Sequence, residues 1–275
     1  MSEARDVEEI EVALILEAIY RRYGFDFREY APASLKRRLW RRVHAEGLET
    51  VSELQARILH DPACMERLLL DLSINVTTMF RDPSFYAAFR AKVAPLLRTY
   101  PFSRVWIAGC STGEEVYSLA ILLDEEGLLE RSRLYATDIN EAVLGQARLG
   151  MFPLEKMQEY TQNYVQAGGT RAFSEYYLAS YDGAVFDRRL VEQTVFAQHN
   201  LVSDHAFNEF HVIVCRNVMI YFDRRLQERV FRLFYESLAR FGVLALGHKE
   251  TVRFSAHADR FDELDGEEKL WKKTS

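Results

Sequence analysis

Apolar positions change their spacing along the chain, and the changes divide it. Over residues 7–22 they recur at helical intervals (Val7, Ile10, Leu14, Ile15, Ala18, Ile19) and stop near Gly24. Three more segments behave alike: Ala33 to about Glu46, Val51 to His60 ahead of Asp61-Pro62, and the strongly apolar Met65 to Ile74. No strand signal interrupts them, so the pattern predicts an all-helical region over residues 1–75. Asp82-Pro83 reads as a further helix start, with Asp82 as N-cap and the helix continuing to about Arg98. From Arg104 short apolar runs alternate with amphipathic segments: strand 105–108, helix 114–126, strand 133–137, helix 140–149. Residues 160–190 break the alternation around Gly168-Gly169 and Asp182-Gly183, which predicts a hairpin inserted into an α/β domain spanning 76–275. Strands 194–197, 211–215 and 243–246, a helix 224–240 and a closing hairpin from Phe261 to Lys273 complete the expected order.

The stretch Val105 to Ser118, V-W-I-A-G-C-S-T-G-E-E-V-Y-S, is the centre of this pattern. It predicts a buried strand, a tight loop of small residues and the first turn of a helix, the unit that opens doubly wound nucleotide-binding domains. Ser111 or Thr112 is positioned to cap that helix, and Glu114 and Glu115 suit its positive end. The two acids disfavour a dinucleotide pyrophosphate, which wants bare N–H groups. They tolerate a cationic ligand such as S-adenosylmethionine, although capping alone also accounts for them. Asp138 ends the second strand, about 25 residues past Gly113, where a carboxylate accepts from ribose hydroxyls. Asn200 and Arg216-Asn217 follow later strands, so four polar clusters fall beyond the carboxyl ends of one sheet.

Composition narrows the class. The 275 residues carry 35 Lys and Arg against 41 Asp and Glu, a net charge of −6 that argues against general nucleic-acid binding. No apolar run approaches the ~20 residues of a membrane helix, and the acidic start MSEARDVEEI has no signal-peptide core, which leads us to expect a cytoplasmic protein. Cys64, Cys110 and Cys215 are isolated, so neither a disulfide framework nor a metal site is expected. The charge is uneven: L-K-R-R-L-W-R-R at 35–42 puts Lys36, Arg37, Arg38, Arg41 and Arg42 on about two helical turns, either a solvated face or a surface for an acidic partner.

Five blocks, taken in order, resemble one family. They are N-V-T-T-M-F-R-D (75–82), A-G-C-S-T-G-E-E-V-Y-S (108–118), A-T-D-I-N (136–140), C-R-N-V-M-I-Y-F (215–222) and G-H-K-E (247–250). Together they are similar to the chemotaxis-receptor methyltransferases, CheR, over nearly the whole chain. Val116 and Lys249 depart from the family's usual Pro and Ser, at positions with no expected chemistry. The resemblance implies a Rossmann-like class I methyltransferase sheet with an all-helical N-terminal domain and a small inserted β-subdomain. It implies transfer of methyl from S-adenosylmethionine to glutamate side chains of chemoreceptors, leaving S-adenosylhomocysteine. Cofactor contacts carry over to Asn75, Thr77, Arg81, Gly109, Glu114, Asp138, Asn200, Leu201, Arg216 and Asn217, with Glu114 at the cofactor's charged amino-acid end and Glu115 as a cap. The family's active-site pair falls on Arg81 and Tyr221.

The same resemblance gives the basic helix a partner, the acidic helical bundle of a receptor, onto which Lys36, Arg37, Arg38, Arg41 and Arg42 would steer. The turn around Ser180 to Ala184 is short, so the enzyme is expected to work without a receptor's C-terminal pentapeptide. An ionised glutamate needs no base, which fits the absence of a Ser–His–Asp set. Two rival readings are a non-catalytic cofactor sensor or scaffold, and methylation of another substrate such as a nucleic acid. The second lacks the N/D-P-P-Y/F motif and has the wrong charge.

Overall fold

A computed structural model describes residues 2–73 and 77–274. The chain forms two compact units, Met1–Ile74 with Tyr221–Arg229, and Asn75–Ile220 with Val230–Ser275.

The first unit holds four helices, α1 (Ser2–Tyr23), α2 (Pro32–Ala45), α3 (Val51–His60) and α4 (Pro62–Leu72). Local chemistry sets their starts. The Thr50 hydroxyl accepts from Glu53 N–H, the Asp61 carboxylate accepts from Ala63 N–H, and Pro32 and Pro62 open α2 and α4. Leu35, Leu39 and Val43 bury one stripe of α2, and Val51, Leu54 and Ile58 do the same for α3. One later segment, Tyr221–Arg229, clusters with these helices. Ala31 N–H donates to Tyr221 O at 2.8 Å, Asp223 N–H donates to Glu29 O at 2.8 Å, and Tyr30 bridges Phe222. These backbone bonds attach 221–229 to the helices, a pairing between distant stretches that periodicity does not register.

The second unit begins with α5 (Pro83–Ala88), a π-helical turn at Phe89–Val93, and α6 (Ala94–Leu97). Asp82 does not cap α5. Its backbone is left-handed (φ 56°), and its carboxylate accepts from Arg216 Nη2 at 2.8 Å instead. Then come β1 (Ser103–Ala108), α7 (Glu114–Glu125), β2 (Ser132–Asp138), α8 (Glu141–Leu149), β3 (Met151–Phe152), α9 (Met157–Gln166), β4 (Tyr177–Ser180), β5 (Gly183–Phe186), β6 (Val195–Gln198), β7 (Phe210–Cys215), α10 (Arg224–Ser237), β8 (Leu238–Leu246), β9 (Phe261–Asp265) and β10 (Leu270–Lys273). Seven strands form one sheet in the order β6-β2-β1-β7-β8-β10-β9, parallel as far as β8 and antiparallel beyond it. The α/β expectation therefore holds.

Alternation along the central strands builds two cores. Val105, Ile107, Val212 and Val214 face one of them, together with Leu119 and Leu123 of α7. Trp106 fills the other, with ring centroids 5.1 to 5.5 Å from Phe207, Phe210 and Phe234, and its indole N–H donates to Thr137 Oγ1 at 2.8 Å.

The insertion is larger than the expected hairpin. β4 and β5 are joined by the two residues Tyr181-Asp182, and β3 pairs with the far side of β5. α9 was not foreseen, although Met157, Tyr160 and Tyr164 bury at helical spacing. The helix expected to reach Arg240 stops at Ser237, and 238–240 begin β8 through an irregular pairing with β7 and a left-handed Phe241. Replacing Trp106→Ala should lower stability by about 3–5 kcal/mol, read as a fall in the urea midpoint of the intact chain. An unchanged midpoint would contradict the packing described.

Candidate cofactor and active site

The loop after β1 is pinned to the end of β2 before any ligand is considered. Gly109 and Cys110 N–H both donate to Thr137 O, at 2.8 and 2.9 Å, and Ser111 N–H donates to Asp138 Oδ2 at 2.9 Å. Asn140 N–H takes the other Asp138 oxygen at 3.0 Å. Two glycines are required here. Gly109 (φ +79°) leaves no room for a Cβ, which would lie 2.5 Å from Val218 Cγ2, and a Cβ at Gly113 (φ +100°) would lie 2.8 Å from that of Ala147. The helix cap expected from Ser111 or Thr112 is not formed, because Gly113 stands at the N-cap with no side-chain bond. Thr112 Oγ1 donates instead to Glu114 Oε2 at 2.6 Å.

The two adjacent glutamates have opposite fates. Glu115 accepts from Arg216 Nη1 at 2.8 Å, so it acts as an ion-pair partner rather than a cap. Glu114 is 7% exposed and forms no ion pair among the described residues; its side chain accepts from the Thr112 hydroxyl and from the Tyr160 phenol, the latter at Oε1 and 3.3 Å. Burial pushes the Glu114 carboxyl above its ordinary pKa, and burial does the same to Asp138. Both are buried acids with no ion pair among the described residues.

Arg216 follows β7 and is almost fully enclosed. Its guanidinium donates to Glu115, to Asp82 and to Arg81 O, and lies 4.0 Å from the Phe85 ring centroid. It thus ties α7 to the turn before α5, and fixes the main chain at Arg81 by that carbonyl. Asn217 is left-handed (φ 61°), and the loop that begins with it is held by a residue sequence reading did not single out. Glu250, 5% exposed, accepts from Asn217, Val218, Met219 and Gly247 N–H at 2.7 to 3.0 Å. The sequence signal for it was G-H-K-E at 247–250, quoted only for resemblance.

Asn200 and Leu201 are buried beyond β6, where Asn200 Oδ1 accepts from Val202 N–H at 3.0 Å. Thr77 is half-buried, and Thr78 beside it donates to Glu159 of α9 at 2.7 Å. Asn75 lies outside the described residues. Thus Gly109, Glu114, Asp138, Asn200, Leu201, Arg216 and Asn217 all stand on loops following parallel strands or on the first turn of α7, within one unit. Tyr221 is grouped with the helical unit, its ring 4.7 Å from the Arg38 guanidinium.

The basic run on α2 is not one open face. Arg38 is buried and donates to Leu72 O and Ser34 Oγ. Arg42 is held by Asp71, Glu46 and Arg67 O, and Lys36 by Glu8 and Glu9. Arg37 and Arg41 remain exposed, the latter also touching Asp71. Burial raises the thiol pKa of Cys110 and Cys215, as expected of packing residues. Among the described residues no cluster could hold a metal ion, and no helix is long and apolar enough to cross a membrane.

A parallel sheet with an antiparallel end, a glycine loop after β1 and an acid at the end of β2 define a Rossmann-like α/β domain with a ligand site beyond its strands' carboxyl ends. Residues 75–270 match the family model described as CheR methyltransferase, SAM binding domain, and residues 10–73 match that described as CheR methyltransferase, all-alpha domain. The chain belongs to the CheR methyltransferase family. A Pseudomonas putida protein named Cher3 is 51% identical over 97% of both chains. A chemotaxis protein methyltransferase of Salmonella typhimurium is 32% identical over 86% of this chain and 82% of its own, and one of Listeria monocytogenes is 29% identical over 85% and 87%.

S-adenosylmethionine fits what the site offers. A buried carboxylate with no ion pair among the described residues suits an ammonium, and a second at the end of β2 suits a ribose. Changing Glu250→Gln would turn one acceptor of the cradle into a donor facing N–H groups. We expect cofactor affinity to fall about tenfold or more with the far-ultraviolet circular dichroism unchanged. Calorimetric titration with S-adenosylhomocysteine checks this, and equal affinity would dismiss the cradle.

Proposed function

We propose that the chain is a protein-glutamate O-methyltransferase that forms methyl esters on the glutamates of chemotaxis receptors in the cytoplasm, and that it needs no receptor pentapeptide. The observation that carries this reading is the contrast between Glu115, neutralised by Arg216, and Glu114, buried with no ion pair among the described residues. An acid left in that state is best satisfied by the ammonium of an amino-acid ligand. Bound S-adenosylmethionine supplies an electrophilic methyl on a sulfonium.

The remaining steps fall to this chain's residues. An ionised glutamate is itself the nucleophile, so the site has no proton to remove. Its task is to exclude water and to align the carboxylate with the methyl. Arg81 is proposed to orient that carboxylate from a backbone fixed by Arg216. Tyr221 is proposed as the second catalytic residue, on the family resemblance. Asp138 is assigned to the ribose hydroxyls, and Asn200, Leu201 and Asn217 to the rest of the cofactor.

Receptor recognition is assigned to α2, narrowed to Arg37 and Arg41, which are exposed, whereas Arg38 is buried and Lys36 and Arg42 are half-buried against partners within their own unit. The two-residue turn at Tyr181-Asp182 supports pentapeptide independence, since it offers no extended loop for a peptide.

Two outcomes follow. Incubation with labelled S-adenosylmethionine and receptor-bearing membranes should give label on a receptor that mild base removes, the signature of a carboxyl ester. Base-stable label would mean another acceptor, and no label despite cofactor binding would mean a sensor. Reversing Arg37→Glu together with Arg41→Glu should cut the initial rate on receptor about tenfold at low salt, with S-adenosylhomocysteine affinity unaltered. An unchanged rate would remove α2 from recognition.

A further inference from the structure

The insertion does more than carry a small sheet. Its helix α9 is bonded twice to the segment before α5 that carries Thr77 and Arg81. Glu159 accepts from the Thr78 hydroxyl at 2.7 Å, and Asn163 Nδ2 donates to Met79 O at 3.0 Å. Between these two anchors stands Tyr160, 1% exposed, its ring centroid 6.3 Å from that of Phe152 on β3. Its phenol reaches Glu114 Oε1, while Thr112 holds Oε2 from the other side. The Glu114 carboxylate is therefore gripped at both oxygens, by donors from two different elements.

We infer that Tyr160 is a positioning residue for the cofactor, its O–H fixing the Glu114 carboxylate in the orientation that receives the ammonium of S-adenosylmethionine. The inference rests on Glu114 being that ammonium contact. Two features support it. A carboxylate on the first turn of a helix has several rotamers, and a bond at each oxygen selects one at the cost of only a short Thr and a rigid Tyr. Donation from a neutral phenol also favours the ionised acid without neutralising it, as an Arg or Lys would. The charged and titratable neighbours of Glu114 are few: Tyr160 on α9 and the more distant Lys156 in the turn before it, with Thr112 as the uncharged donor. Burial and the adjacent acid raise the Tyr160 phenol well above its ordinary pKa, so it remains a donor at any working pH.

The test compares two probes, S-adenosylhomocysteine, which carries the amino-acid end, and methylthioadenosine, which lacks it. Tyr160→Phe keeps the ring and deletes the donor. We expect the Kd for S-adenosylhomocysteine to rise about tenfold and that for methylthioadenosine to stay constant. The acid limb of the affinity profile should also move to higher pH, because the ionised form of Glu114 has lost a donor. Glu114→Gln should weaken the first probe alone and abolish that acid limb. If Glu114→Gln weakens S-adenosylhomocysteine but Tyr160→Phe matches wild type in Kd and pH profile, the role of Tyr160 is refuted while the cofactor site stands. If Glu114→Gln leaves the two probes equally discriminated, the reading of Glu114 fails and this inference with it. Equal loss of both probes in Tyr160→Phe would show a packing role only and overturn the assignment.

Discussion

The site depends on one buried cation. Arg216 sits inside the protein with its guanidinium shared among Glu115, Asp82 and the carbonyl of Arg81, against the face of Phe85. A charge of this kind is costly to bury and needs acceptors for its donors; Glu115, Asp82 and the Arg81 carbonyl meet the two Nη groups, while Nε has no hydrogen-bond partner among the described residues. That requirement fixes three stretches that are far apart in sequence: the first turn of α7, the turn before α5 and the end of β7. It also decides what the two neighbouring glutamates can do. Glu115 is consumed by the ion pair, and Glu114, one residue earlier on the same turn, is left buried with no ion pair among the described residues.

Around that strut the loops are held by acceptors rather than by packing alone. Thr137 O and the Asp138 carboxylate bind the loop after β1, and the Glu250 carboxylate binds four N–H groups around the loop after β7. Gly109 under Val218 lets these two loops approach. Backbone held in this way offers a preorganised surface, so binding a ligand does not also have to order the loops. The methyl transfer proposed above, from a sulfonium to a carboxylate, would need little more than such a surface and the exclusion of water.

Much of the fold was legible because it is written in periodicity. The four N-terminal helices, the parallel strands and the loops beyond them follow from apolar spacing and from Gly, Asp and Pro positions. What the sequence hid were relations between charges and between distant segments. Asp82 precedes Pro83 as a cap should, yet an Arg 134 positions away takes its carboxylate. Glu115 looked like a cap for the same local reasons. The run at 36–42 looked like one cationic face, but Asp71, Glu46 and Glu8 engage three of its members and Arg38 is buried. α9 was missed because glycines and tyrosines nearby suggested turns and strands, although Met157, Tyr160 and Tyr164 carried the helical signal. Glu250 could not be found by pattern, since its partners are backbone groups that have no sequence identity.

Glu114, buried and with no ion pair among the described residues, is the group proposed to receive the cofactor's ammonium. In the free protein burial holds its pKa above the ordinary value, and an ammonium bound as proposed would lower it again. Between those two values the free protein carries a proton that the complex does not, so binding must release protons and must tighten as pH rises through that window. Calorimetric titration of S-adenosylhomocysteine in buffers of differing ionisation enthalpy, on the acid side of neutrality, measures this directly. The account predicts net proton release that disappears in Glu114→Gln. Binding without proton release, or with the same release in that variant, would contradict it.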